Sequence, residues 1–257
     1  MRVSSIQFEV RDNESKQDRI RRMIGLVESC RGSQLIVLPE IWNIGYFAFD
    51  RYAIESEGLN GETITVLADK ARDLGSYIVT GSFVERDGDK LFNTTALLNP
   101  QGEILATYRK IHLFGFGSDE TRLLTPGREA VTVTTELGVI GLATCYDLRF
   151  PELFRKMLDQ GVQFIIISSA WPYPRLDHWR MLNHVRALEN ECYLVSSNCV
   201  GINRGKLFLG HSAIIDPWGV MVSGAGDEET VISADIYAAK VQEVRTIFPP
   251  VQDRVIF

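Results

Sequence analysis

The segment with the clearest chemical content is G-L-A-T-C-Y-D-L-R-F-P-E-L-F, Gly141 to Phe154. An apolar strand runs to Thr144 and Cys145 follows. Pro151 then stands where a helix begins, a position that tolerates its missing N–H. Cys145 therefore occupies a strand-to-helix corner, where a side chain projects from a rigid edge and backbone N–H groups can face a ligand. The competing role of a free cysteine is that of a small buried hydrophobe. A nucleophilic thiol needs activation, because near its free pKa of ~8.5 only a few per cent is thiolate at neutral pH. The four histidines, His112, His178, His184 and His211, are not close to Cys145 along the chain. Two other segments bring ionisable groups. L-I-V-L-P-E is a buried type of strand ending in Pro39 and Glu40, and Y-R-K-I-H-L-F sets Arg109 and Lys110 among apolar residues. Taken alone, Glu40 reads as a surface carboxylate and Lys110 as a snorkelling surface residue.

Rigid elements must gather such groups, and apolar periodicity predicts them. Strands are expected over Val3–Phe8, Gln34–Leu38, Tyr77–Val84, Leu91–Leu98 and Glu103–Tyr108. In the second half they are expected over Val139–Thr144, Phe164–Ser168, Cys192–Ser197, Ser212–Ile215, Val220–Ser223 and Thr230–Ala234. Helical spacing covers Glu14–Arg31, Glu62–Leu74, Pro151–Leu158 and Asp177–Asn190, with Gly75 placed to end the second. Phe114–Arg128 has no clear period; a long irregular loop of that kind is expected to close over a site, or else to form a dimer contact. One echo stands out. A-L-L-N-P-Q-G-E-I-L from Ala96 resembles A-I-I-D-P-W-G-V-M-V from Ala213, each a hairpin around a Pro-x-Gly turn. If it marks a duplication, the fold is α/β: two similar sheets face to face with helices outside, a four-layer α-β-β-α sandwich. No linker divides the chain, so residues 1–257 are expected to form a single domain.

Composition narrows the function. The 257 residues are 45% hydrophobic and 23% charged, which excludes a disordered chain. A net charge of −6 argues against non-specific nucleic-acid binding. No apolar run approaches the ~20 residues of a membrane span, and the N-terminal M-R-V-S-S-I-Q-F-E-V lacks the apolar core of a signal peptide. Cys30, Cys145, Cys192 and Cys199 are sparse and unpatterned, so reduced thiols and a cytoplasmic location are expected. There is no C-x-x-C or H-E-x-x-H, and neither metal nor cofactor is expected.

Taken in order, L-P-E, Y-R-K-x-H-L-F and C-Y-D-x-R-F-P-E resemble the carbon–nitrogen hydrolase (nitrilase) superfamily, from Val3 to about Ala234. The resemblance implies the α-β-β-α sandwich and a Glu-Lys-Cys triad at Glu40, Lys110 and Cys145. It also implies a second glutamate before a Pro-Gly pair, matched by Glu120 in D-E-T-R-L-L-T-P-G. In these roles Cys145 attacks an amide carbonyl, Glu40 is the general base, and Lys110 with the Tyr146 N–H receives the oxyanion, while Glu120 keeps Lys110 and Glu40 in register. S-A-W-P-Y-P-R-L-D-H-W-R-M-L, Ser169 to Leu182, resembles the ω-amidase branch, whose substrates are dicarboxylate monoamides such as 2-oxoglutaramate. Arg149 matches a family position that meets the distant carboxylate, and Arg175 is a second candidate. Their alternatives are ion pairs of Arg149 with Asp147 or Glu152 and of Arg175 with Asp177. Tyr46 and Trp171 either line the pocket or belong to the core. Homo-oligomers, dimers or larger, are usual in proteins of this resemblance. The alternatives in function are an N-carbamoyl amino acid amidohydrolase and a silent binding protein on the same fold.

Overall fold

Two runs of three parallel strands, the first two strands of each feeding helices, set the architecture. In the computed structural model, which describes residues 1–255, the first run is β1 (Arg2–Glu9), α1 (Lys16–Ser29), β2 (Leu35–Val37), α2 (Tyr52–Glu55), α3 (Glu62–Leu74) and β3 (Tyr77–Asp87). A meander of β4 (Lys90–Leu98) and β5 (Ile104–Arg109) follows, then the single turn α4 (Glu120–Leu123). The second run is β6 (Val131–Thr135), β7 (Gly138–Thr144), α5 (Pro151–Asp159), β8 (Phe164–Ser169), α6 (Leu176–Asn190) and β9 (Tyr193–Asn203). The chain ends with β10 (Lys206–Leu209), β11 (Ala213–Ile215), β12 (Met221–Gly224), β13 (Thr230–Asp235) and α7 (Ala238–Ile247).

One sheet has the order β5-β4-β3-β2-β1-β13 and the other β6-β7-β8-β9-β11-β12. In each, three parallel strands lie between antiparallel neighbours. The order of pairing is the same in both: β1-β2-β3-β4-β5 corresponds to β7-β8-β9-β11-β12, with β13 and β6 as the outer partners. The two echoing hairpins fall at equivalent places and share their turn chemistry. Asn99 Oδ1 accepts from the N–H groups of Gln101 and Glu103 at 3.0 and 2.8 Å; Asp216 Oδ1 accepts from Trp218 and Val220 at 2.9 and 3.0 Å. The glycines that follow both have left-handed backbones, with φ of 77° at Gly102 and 75° at Gly219.

Alternation along β2 shows how the layers adhere. Ile36 and Leu38 pack with Ile20, Met23 and Val27 of α1 and with Leu67 and Ala71 of α3. Leu35 and Val37 pack instead with Ile165 and Ile167 of the opposing sheet. A strand covered on both faces must be apolar on both, as this one is. The sheets also join at a corner, where β9 leaves its own sheet and Cys199 and Val200 pair with Phe8 and Glu9 of β1.

The expected Glu62–Leu74 helix holds to the residue, ended by Gly75 in the left-handed region. The expected Glu14–Arg31 helix is shorter, because Ser15 and Asp18 form a capping box that starts it at Lys16. Phe114–Arg128 is not wholly irregular, since it contains α4. The sequence reading missed α2, β6, β10 and α7. The last buries only Val241 and Val244, too thin a stripe to announce a helix.

Candidate active site

The sequence-predicted groups meet at the carboxyl ends of β2, β7 and β8, where open α/β sheets place their ligands. Cys145 opens a 3-10 turn, Cys145–Arg149, with a left-handed φ of 47°. A non-glycine residue in that region stores strain that neighbouring contacts must hold. Asp147 does much of the holding. Its buried carboxylate accepts from Thr144 N at 2.9 Å, the Tyr108 hydroxyl at 2.6 Å and His112 N at 3.0 Å. His112 Nδ1 lies 2.7 Å from the same carboxylate, and its ring stacks on Phe150. This ties the Cys145 turn to the end of β5, so His112 serves Asp147 rather than Cys145.

Lys110 follows β5 and is fully buried, contrary to a snorkelling role. Its Nζ donates to Glu40 Oε1 at 2.8 Å and lies 3.0 Å from both oxygens of Glu120. Glu40 is also fully buried, contrary to a surface role, and its Oε2 accepts from Ala170 N at 2.9 Å. Glu120 Oε2 accepts from the Tyr46 hydroxyl at 3.0 Å and from Phe114 N at 2.6 Å. The Cys145 thiol lies against the Glu40 carboxyl and the Ser169 hydroxyl.

The electrostatics follow from burial. Desolvation pushes the Glu40 carboxyl above its ordinary range; Lys110 pulls it down and Glu120 pushes it further up. Burial also drives the Cys145 thiol up, and the nearby Glu40 charge adds to this against the pull of Lys110. Burial alone would lower Lys110, but Glu120 and Glu40 outweigh it and hold the ammonium above its ordinary value. The resting site is thus a protonated thiol beside a buried carboxyl and a permanent cation.

Above Cys145 lies a narrow cleft lined by Tyr46, Phe114, Trp171, Arg149 and Arg175 among others. Tyr46 and Trp171 are buried and also line the cleft, so both roles considered for them hold together. Arg149 pairs with neither Asp147 nor Glu152: Asp147 is engaged elsewhere, and the guanidinium sits 4.8 Å over the Trp171 ring with His178 Nδ1 at 3.2 Å. Arg175 lies 5.5 Å over Phe114 and forms no ion pair with Asp177 among the described residues. Sequence reasoning overlooked Asn93, Asp147 and Ser169 at this site. A buried-type strand interrupted by Asn, as in L-F-N-T-T-A-L-L, was the signal available for the first.

A thiol, an ammonium and two carboxylates at the strand ends of an α-β-β-α sandwich define the class. The pattern of the carbon–nitrogen hydrolase family matches residues 2–246, and this chain belongs to that family. It is 36% identical to the 2-oxoglutaramate amidase of Paenarthrobacter nicotinovorans over 98% of this chain and 88% of the relative. It is 34% identical to the 2-oxoglutaramate amidase of Bacillus subtilis (strain 168), over 98% and 96% respectively. A solved CN-hydrolase superfamily protein from Xanthomonas campestris, with an arsenic adduct in its active site, matches with a TM-score of 0.93 at 30% identity, covering 100% of this chain and 98% of that one.

Proposed function

We propose that the protein hydrolyses the ω-amide of a short dicarboxylic monoamide, with 2-oxoglutaramate as the reference substrate, to the dicarboxylate and ammonia. One observation carries this reading: the cleft has a thiol at its base and two guanidiniums, Arg149 and Arg175, that form no ion pair with a protein carboxylate among the described residues. In a chain of net charge −6, such cations supply the local attraction that an anionic substrate needs.

Cys145 Sγ attacks the amide carbon while Glu40 takes the thiol proton. The oxyanion is met by Lys110 Nζ and by the N–H of Tyr146, in the first turn of a helix where N–H groups lack helical acceptors. Glu40 returns its proton to the amide nitrogen, the C–N bond breaks and ammonia leaves a thioester on Cys145. Water then enters and gives a proton to Glu40 as its oxygen attacks the thioester carbon. The C–S bond breaks, and the proton goes back to sulfur. Glu120 stays bound to Lys110 throughout and keeps it aimed. Phe114, at the cleft wall, supports a covering role for the stretch that follows it.

Ammonia and carbon dioxide release from 2-oxoglutaramate, glutamine, neutral amides and N-carbamoyl amino acids tests the substrate class. Glutamine brings an ammonium towards two guanidiniums, and like charges ~7 Å apart repel by ~2 kcal/mol at an effective dielectric of 20. It should therefore be at least ~10-fold poorer than 2-oxoglutaramate. Arg149→Lys keeps the charge but loses the planar fork, so KM should rise for carboxylate substrates and not for neutral amides. Equal effects on both would remove Arg149 as the anchor. Carbon dioxide from carbamoyl compounds without deamidation of 2-oxoglutaramate would overturn the substrate class.

We also infer self-association and a cytoplasmic setting. Met181, Val185 and Leu188 form an exposed apolar stripe on α6, and Met221 and Val222 of β12 are exposed nearby, beside the groove these elements share. Light scattering should give twice the chain mass, and Val185→Asp should weaken the assembly; a monomer at micromolar concentration would refute it. Four buried free cysteines fit a reducing compartment.

A further inference from the structure

Asn93 lies inside β4, fully buried, in a position where strands favour β-branched or aromatic residues. A residue that breaks the local rule in this way marks a place where another demand has won. Here the demand is visible. Its Nδ2 donates to Glu40 Oε1 at 2.8 Å and to Glu120 Oε1 at 2.8 Å. Its backbone carbonyl accepts from Lys110 N at 2.8 Å. One residue thus touches all three members of the buried charge cluster.

The amide orientation follows from chemistry. Carboxylates only accept, so the amide nitrogen must face them; reversing it would press a third acceptor oxygen against two others. This leaves Asn93 Oδ1 buried with no partner. An orphaned acceptor is destabilising, and the fold tolerates it in exchange for two N–H donors at this point. No other side chain of similar size does the same. Asp would add a third carboxylate, Leu would leave both oxygens unserved, and Thr offers a single donor.

We propose that Asn93 is a positioning residue that clamps Glu40 and Glu120 onto the Lys110 ammonium, so that the base stays ionised and aimed at the Cys145 thiol. The proposal rests on Glu40 being the base. Asn93 is not part of the cleft lining, so it acts through the carboxylates and not on substrate. The groups that face Glu40 are Lys110 beyond β5, Glu120 in α4, Cys145 in its turn, Tyr46 in Glu40's own loop, Tyr52 in α2 and Cys199 in β9. Among these Lys110 is the one cation. Removing the two amide donors therefore weakens the ionised form of a carboxyl that burial already pushes up.

The test compares wild type, Asn93→Ala, Asn93→Thr and Glu40→Gln by steady-state kinetics and by iodoacetamide alkylation of Cys145, both across pH. For Asn93→Ala the acid limb of kcat/KM should move up by about one pH unit. Its kcat should fall about 10- to 100-fold while KM changes less than about twofold. Asn93→Thr should lie between Ala and wild type, and it carries the test if the Ala variant does not fold. Folded variants with a wild-type limb, or with the loss confined to KM, would overturn the proposal. The alkylation profile separates the two failures. If Glu40→Gln leaves it unchanged, the base assignment falls and the Asn93 role with it. If Glu40→Gln alters it and the Asn93 variants do not, Asn93 alone is refuted.

Discussion

Replacing Cys145 by alanine is expected to lower kcat by at least ~10⁴-fold, because the covalent route disappears and only binding and oxyanion contacts remain. Folding should survive, since alanine is no worse suited than cysteine to the left-handed backbone there. The same site predicts the pH dependence. Burial keeps the Cys145 thiol protonated at rest, so attack by the proposed route requires an ionised Glu40 to receive the proton. A protonated Glu40 cannot accept it, and its carboxyl is itself raised by burial. The rate should therefore fall with decreasing pH along a limb that lies above the ~4.3 of a free glutamate. Serine at this position should be as inactive as alanine, because a hydroxyl gives up its proton far less readily than a thiol. Peptide mass spectrometry of substrate-quenched enzyme provides the direct check. The acyl group should map to Cys145, whereas labelling confined to Cys30, Cys192 or Cys199 would remove the nucleophile assignment.

How much of this was legible in the chain depends on whether the cue was local. The strand-to-helix corner at Cys145 carries its meaning within a few residues, whereas Glu40 and Lys110 read alone as surface groups and gained theirs from the order of the three segments, which the fold brings together. The paired Pro-x-Gly hairpins were equally local, and their shared Asx-type bonding places them at matching points of two similar sheets. What escaped depended on distance. Proximity in sequence suggested Asp147 as a partner for Arg149, but Tyr108 and His112, from a different strand end, had already taken its oxygens. β9 runs six residues past the expected Ser197 because β1 and β10 pair with its distal part. Asn93 looks like an ordinary strand flaw until the carboxylates from elsewhere in the chain are placed beside it.

Lys110→Met should damage stability as well as chemistry, and the two losses can be pulled apart. The ammonium pairs with two fully buried carboxyl groups. Removing it while keeping the volume leaves Glu40 and Glu120 facing each other, with one of them forced to take up a proton. Breaking a buried ion pair from one side costs about 3–5 kcal/mol. For a chain of 257 residues that corresponds to a Tm lower by roughly 10 °C. Activity should fall to the level of Cys145→Ala, since the oxyanion loses its cation. Adding Glu120→Gln to Lys110→Met removes the conflict between the two carboxyls and supplies an amide that can donate to Glu40. That double variant should regain more than half of the lost Tm while kcat remains at the floor, a coupling expected for groups in one network. Calorimetry and ammonia release on the same preparations decide the matter. A single variant that melts within a degree of wild type would show that the cluster does not depend on charge balance. A double variant with no recovery would assign the instability to lost packing.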